Sequence, residues 1–420
     1  MTTGRRSLLG FLSAVGMSDL GTRMSFLAVP WFVLTLTGST VDMGVMAFAA
    51  SAPYVAAQAL GGPLIDTWGA WRVSVATDIL ATVFMGAVPM LDALHLLSLT
   101  SLGTLLAAAG IVRGLGDSAR KVMVPGIGEG AGLALERSSG LFDGVSRGAA
   151  LVGLPIAGVL VTWISAINVL TVDAGTFLAS ALLVGLLVSR HVEPPVTARQ
   201  PGREESYLTA MRTGLRYLRD DSLLLSIAIM VLITNFIDQA NSTVLLPLWA
   251  HNIVHSAIAL GLVGGGFGAG AIAGNVLMTW LGPRVPRRLA FGVGYFLAGA
   301  PRYIALALGA LLSPVLAVFI VGGLGAGGIN PILGAVEYER VPRPLQARVL
   351  GALGAVAWVG IPFGSLAGGV VVSRIGLTAT LWFGAVLYGL TTLMPFVFPV
   401  WRGMERRTDM MGPAVPRHPV

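Results

Sequence analysis

The chain has no cysteine and only five histidines, scattered along 420 residues. That excludes disulfides, thiolate catalysis and cysteine-ligated metals, and it offers no histidine cluster for a metal. Charge is scarce as well: 11% of residues are Asp, Glu, Lys or Arg, where a soluble domain carries about a quarter. No nucleophile with its base and no nucleotide-binding loop stands out, whereas an intramembrane enzyme needs several polar catalytic groups converging. The segment Gly126-Ile127-Gly128-Glu129-Gly130-Ala131-Gly132 imitates a phosphate loop, yet no strand precedes it and no Lys-Ser/Thr follows. It reads as a flexible connection between helices. What the chain has in excess is apolar surface, since 55% of its residues are hydrophobic. Lipid is its solvent.

Apolar windows of about 20 residues predict helices 1 to 12 near 8 to 36, 42 to 65, 73 to 92, 98 to 118, 138 to 164, 168 to 189, 222 to 250, 257 to 281, 289 to 311, 314 to 336, 347 to 374 and 377 to 401. With the N-terminus inside, the cytoplasmic segments receive Arg5, Arg6, Arg72, Arg120, Lys121, Arg137, the 190 to 219 stretch, Arg284, Arg287, Arg288, Arg340, Arg343 and Arg402 to Arg407, while the outer loops receive only Arg374. This asymmetry predicts a multi-pass protein of the cell (inner) membrane with both termini cytoplasmic, and it accounts for the net charge of +7 without nucleic acid. Gly4-Arg5-Arg6 resembles the start of a signal peptide, but the apolar run behind it carries Asp19 and Arg23 and leads straight into a second span. We read it as helix 1, uncleaved.

The chain also repeats itself. Val152-Gly153-Leu154-Pro155-Ile156-Ala157-Gly158 returns 207 positions later as Val359-Gly360-Ile361-Pro362-Phe363-Gly364-Ser365. Gly144 and Gly351 each stand eleven residues before those prolines, Pro30 and Gly44 answer to Pro247 and Gly261, and Gly114-Leu115-Gly116 to Gly323-Leu324-Gly325. Ordered matches of this kind describe two copies of one bundle. The expected fold is therefore an all-α membrane protein of twelve transmembrane helices in two six-helix pseudo-repeats. Its domains are 1–190 and 222–401, joined by a 191–221 linker and followed by a 402–420 tail. Within the linker Pro194-Pro195, Pro201-Gly202 and Glu204-Glu205 precede an amphipathic stretch with Leu208, Met211, Leu215 and Leu218 on one face and Arg212, Arg216 and Arg219 elsewhere. That stretch should lie against the inner leaflet. Overlapping small-xxx-small spacings from Gly261 to Gly274 predict tight packing of helix 8. One complete twelve-helix unit suffices mechanistically as a monomer.

Several stretches carry a likeness to a known family: Ala28-Val29-Pro30-Trp31 running to Leu36-Thr37-Gly38-Ser39, Gly62 to Arg72, Val172-Asp173-Ala174, Gly214-Leu215-Arg216-Tyr217-Leu218, and Arg340-Val341-Pro342 leading to Ala347-Arg348-Val349. In their order along the chain these resemble the major facilitator superfamily. Within it they resemble the drug:proton antiporters, the group of macrolide-efflux, enterobactin-export and Tap-type tetracycline/aminoglycoside exporters. Gly144, Gly148, Gly153, Pro155 and Gly158 are similar to the antiporter signature of helix 5. The loop after helix 2, in the family Gly-x-x-x-Asp-Arg-x-Gly-Arg-Arg, here keeps Gly62, Asp66, Gly69 and Arg72 but lacks two basic residues. The resemblance implies that Asp66 and Arg72 form an inner-gate charge latch. It also implies that helices 1, 4, 7 and 10 line a central cavity.

Charges inside spans should carry mechanism, because each costs roughly 2.5 to 3.5 kcal/mol at a helix centre unless it faces a cavity or partner. By the family analogy Asp19, Arg23, Arg113 and Asp238 meet one water-filled space and form the proton-coupling set. Asp19 would take up a proton when the cavity closes and give it up when Arg113 or Arg23 approaches. The competing reading is a permanent Asp19–Arg23 ion pair one helical turn apart. Asp143 and Arg147 share that spacing and read as structural. Asp238 has no helical partner at i±3 or i±4, and Arg302 on helix 9 reads as a bond between neighbouring helices. Candidate substrate contacts are Phe26, Trp31, Asn235, Asp238, Gln239, Asn330 and Trp358, aromatics, amides and an acid that suit bulky amphipathic compounds. No metal and no cofactor is called for; the partners are a small-molecule substrate, protons and the bilayer. Proton-coupled export of drug-like molecules, export of one siderophore or metabolite, solute import and a membrane enzyme compete in that order.

Overall fold

The computed structural model describes residues 3–189, 207–282, 284–309 and 311–405. The predicted linker before Tyr207 and the tail beyond Glu405 lie outside the described residues. Among those residues all regular structure is helical. Twelve helices are long and apolar enough to cross a membrane: Gly4–Thr37, Thr40–Leu60, Ala70–Ala93, Leu99–Gly130, Leu135–Ile164, Ala166–Leu187, Ser222–Val254, Ala257–Leu281, Arg287–Ala307, Leu312–Arg340, Arg348–Ile375 and Leu377–Val397. We number them helices 1 to 12. The turns between them are tight and capped. Gly38 adopts φ +65° and Ser39 caps helix 2 by accepting from Asp42 N at 3.1 Å, while Ser98 and Ser101 form a capping box on helix 4.

The internal repeat is a spatial one. A Cβ on Gly44 of helix 2 would sit 2.7 Å from Ser365 O on helix 11, and one on Gly261 of helix 8 would sit 2.5 Å from Leu154 O on helix 5. Equivalent glycines thus meet the corresponding helix of the other half, about one helical turn apart in register. Helix 8 packs as its small-residue spacing requires: Gly270 and Gly274 abut the backbone of Ile320 and Leu324 on helix 10, and Gly323 and Gly327 abut Phe267 and Ala271 in return.

The close glycine contacts that cross between the two halves lie toward one side of the molecule. Odd-numbered helices start on the side that carries Thr3 and Glu405, so Gly158, Gly261 and Gly369, which are in close backbone contact, lie toward the far side. Gly144, Gly148, Gly351 and Gly354, near the starts of helices 5 and 11, would place a Cβ with nothing within 4 Å. Between helices 2 and 11 on that side lies a cleft of about 490 Å³, bounded by Val55, Gln58 and Arg348. The two halves are sealed on the far side and splayed on the terminal side.

Three expectations are corrected. Helix 4 does not end near 118 but runs to Gly130. Met123, Val124 and Ile127 are buried in the bundle and Gly128 packs on the Ser138 side chain, so tertiary packing overrides the glycines, and the turn falls at Gly132, φ +71°. Arg120, assigned above to a cytoplasmic segment, is 3% exposed inside that helix bundle. The amphipathic helix Tyr207–Asp220 packs on helix 11, with Gly214 against Arg348 and Ala352 and Leu218 buried. Leu215 is exposed instead of facing the same way, and the side chain of Leu208 lies outside the described residues.

Candidate functional site

A cavity of about 290 Å³ lies between the halves, lined by helix 1 through Asp19, Arg23 and Phe26, by helix 2 through Tyr54, by helix 4 through Arg113 and Asp117, and by helix 7 through Gln239 and Thr243. Asp19 has no guanidinium within 4 Å among the described residues, and Ser146 of helix 5 is the hydrogen-bonding neighbour of its carboxyl. The permanent Asp19–Arg23 pair is not formed. Helix 5 presents no side chain at Gly153, where a Cβ would lie 2.8 Å from Arg23 Cβ. One glycine of the helix 5 signature therefore makes room for a cavity cation.

Below the cavity stands a buried polar network that the sequence reading did not assemble. Tyr54 donates its hydroxyl to Asp117 Oδ2 at 2.8 Å, Gln58 donates to the Tyr54 hydroxyl at 2.7 Å, and Arg120 binds Asp117 Oδ1 at 3.1 Å. Arg120 also pairs with Asp78 on helix 3, whose second oxygen accepts from Ser180 of helix 6 at 2.7 Å. The i, i+4 spacing of Tyr54 and Gln58 and the i, i+3 spacing of Asp117 and Arg120 were the available signals. Removing one member of a buried pair strands the other charge at a cost of about 3–5 kcal/mol. Arg120→Leu is accordingly expected to lower the melting temperature of the purified protein sharply in a thermal denaturation scan. A melt unchanged from the parent would show that the network is not structural.

A second acid, Asp173 of helix 6, is fully buried. It accepts from the Ser25 hydroxyl of helix 1 and feels the Arg113 guanidinium, which itself lies 6.0 Å from the Phe177 ring centroid. Asp143 and Arg147 form the expected i, i+4 pair at 3.3 Å, both well exposed, and such a pair contributes about 0.5 kcal/mol or less.

Asp238 does not join Asp19, Arg23 and Arg113. Its Oδ1 takes Arg302 NH2 of helix 9 at 2.6 Å and its Oδ2 takes the Tyr388 hydroxyl of helix 12 at 3.1 Å. Arg302, read as a bond between helices, is one, and it also lines a second cavity of about 230 Å³ that shares Arg23 and Phe26 with the first. Helix 7 beside it winds as π-helix over Asn241–Leu245 and again over Ala250–Val254, on either side of Pro247. Such bulges concentrate at functional sites, and nothing in the apolar pattern announced them.

The substrate candidates separate in space. Phe26 and Gln239 line the first cavity. Asn235 is taken by a hydrogen bond to Ala357 O at 2.9 Å, Trp31 packs edge-on against the His251 ring at 5.3 Å, Trp358 lines the terminal-side cleft and Asn330 is exposed on helix 10. The gate residues stand apart too. Gly62 opens a short helix, Gly62–Trp68, and Gly69 turns the chain at φ +86°. Asp66 and Arg72 are exposed and take part in no ion pair among the described residues. The expected Asp66–Arg72 charge pair is therefore not formed in this structure. In the second half the matching arginines are engaged: Arg287 grips Glu339 at 2.6 and 2.7 Å.

The Major Facilitator Superfamily family model matches residues 11–239 and 229–413. The multidrug efflux pump Tap of Mycolicibacterium fortuitum is 27% identical over 384 residues, covering 90% of this chain and 92% of that protein. Tap of Mycobacterium tuberculosis is 28% identical over 404 residues, covering 94% of both. A single-substitution variant of the nucleoside transporter NupG shares the fold with a TM-score of 0.76 at 12% identity, covering 93% of this chain and 98% of that one.

Proposed function

Because the chain belongs to the major facilitator superfamily, we propose that it is a secondary active transporter that exports amphipathic, drug-like or secondary-metabolite compounds in exchange for protons by alternating access. The carrying observation is Asp19, a carboxylate in the wall of an amphipathic cavity with no cation paired to it among the described residues. In the interior of the first bundle Asp19, Asp78, Asp117 and Asp173 face Arg23, Arg113 and Arg120, four carboxyls against three guanidinia. One proton neutralises the set. Asp78 and Asp117 are tied to Arg120 and Asp173 is held by Ser25, which leaves Asp19 to carry that proton, with Arg23 and Arg113 in the same cavity wall as the cations that would expel it.

On this reading the membrane is the cell's inner membrane with both termini cytoplasmic, so the splayed side loads from the cytoplasm. Residues 1–190 and 222–401 then rock about the 191–221 linker, and Pro155 and Pro362 loosen helices 5 and 11 where rocking bends them. Asp238 with Arg302 acts inside the second half, as a fixed partner pair. The relatives' name, multidrug efflux pump, supports a range of substrates. The test is proton release from energised inverted vesicles, followed with a fluorescent pH probe against amphipathic cations, macrolides, tetracyclines and siderophores. At least one compound is expected to dissipate the gradient; silence across the panel from folded protein overturns the reading.

A further inference from the structure

The second cavity holds two buried polar atoms that have no hydrogen-bond partner among the described residues, Arg302 Nε and Asn241 Oδ1. Arg302 is 5% exposed and Asn241 1%, and an unpartnered atom at that depth costs roughly 1–3 kcal/mol. Neither can be rescued by a small shift of Arg302. Its guanidinium is fixed by Asp238 at 2.6 Å and lies over the Phe267 ring at 4.6 Å and the Phe319 ring at 5.5 Å. Asp238 has no oxygen to spare, since Tyr388 holds the other at 3.1 Å. Arg23, in the wall shared with the first cavity, takes part in no ion pair among the described residues. No residue lining the second cavity is acidic.

The chamber's wall therefore carries one unpaired cation, with one unsatisfied guanidinium N–H and one unsatisfied amide oxygen buried within its lining, between aromatic faces. We propose that it is the subsite for an anionic group, a carboxylate or enolate, on the molecule whose amphipathic body occupies the first cavity. This rests on the transport reading above. A planar carboxylate accepts from Arg302 Nε on one side and from the Arg23 fork on the other. The Asn241 amide, turned either way about its last torsion, accepts from a neighbouring hydroxyl or donates to the same anion. With Asp19 in the first cavity, the two chambers together select dipolar substrates over simple lipophilic cations.

Rhodamine 110 and rhodamine 123 share one xanthylium core and differ in carrying a free carboxylate or its methyl ester. Fluorescence-anisotropy titration of the full chain in lipid nanodiscs is expected to show rhodamine 110 binding about tenfold tighter, the worth of one charge-assisted hydrogen bond. Arg23→Gln is expected to erase that preference, read as the ratio of the two dyes' affinities, since Arg23 also lines the first cavity that both dyes share. Arg302→Lys, which keeps a cation for Asp238 but removes the planar guanidinium and with it the Nε donor, should do the same if Arg23→Gln fails to fold. Equal affinities in the parent, binding of neither dye, or equal weakening of both by the substitutions overturns the subsite. Proton release driven by the same dyes separates the two readings. A carboxylate preference without proton release removes the transport reading and leaves the subsite; proton release without preference does the reverse.

Discussion

Asp19→Asn is expected to reduce substrate-driven proton release in inverted vesicles to the level of vesicles without the protein, a loss of at least about a hundredfold, while the purified variant still binds substrate within about threefold and melts close to the parent. The substitution keeps the shape and one hydrogen-bonding oxygen of the side chain and removes its ability to exchange a proton. Folding is spared because Asp19 neutralises no cation within 4 Å among the described residues, so its loss strands nothing. Arg120→Leu is the opposite case: it leaves Asp78 and Asp117 without their shared guanidinium, so it should damage the fold first. Two substitutions in one bundle would then divide coupling from stability. Persistent proton release by Asp19→Asn would move the coupling role to Asp117, the other cavity carboxylate.

Length and hydropathy were enough to place all twelve spans, and the recurrence of Gly-Leu-Pro and Gly-Ile-Pro motifs was enough to see that the second half repeats the first. Both are properties a chain carries along one dimension. The misplaced features are those set across helices. Asp238 was read as unpartnered because helical periodicity shows only neighbours three or four residues away, and Arg302 lies 64 positions on. Trp31, Asn235 and Trp358 were chosen by chemistry alone, since a helix that is apolar nearly all round does not disclose which face meets a cavity. Arg120 was placed in a loop for the same reason that helix 4 was cut short: a run of glycines and two basic residues looks like an end until Asp78, Asp117 and Ser138 are brought against it. The helix 5 signature was legible as a motif, yet its meaning was not. Gly153, Pro155 and Gly158 touch other helices, whereas Gly144 and Gly148 touch none.

That division within one helix predicts opposite effects from the same substitution. A Cβ at Gly158 would stand 2.6 Å from Ala257 O and 3.0 Å from Ile258 Cα, backbone atoms that cannot rotate away, so Gly158→Leu forces helices 5 and 8 apart on the far side. Overpacking of this kind costs about 1–3 kcal/mol, which shifts a two-state balance by roughly 5- to 150-fold. A Cβ at Gly148 meets nothing within 4 Å in the present state, so Gly148→Leu should be accommodated here and obstruct the state in which the terminal ends close. It should hold the molecule as it is seen here. The cysteine-free sequence makes the readout simple: a single cysteine at Ser51 in the first cavity, labelled with a membrane-impermeant maleimide in vesicles of each orientation. Gly148→Leu is expected to raise labelling from the terminal side, and Gly158→Leu to lower it and raise labelling from the far side at least about fivefold. Both should stop transport. Labelling that moves to the same side in both variants would mean that helix 5 does not pivot between its two glycine groups, and that the halves exchange access some other way.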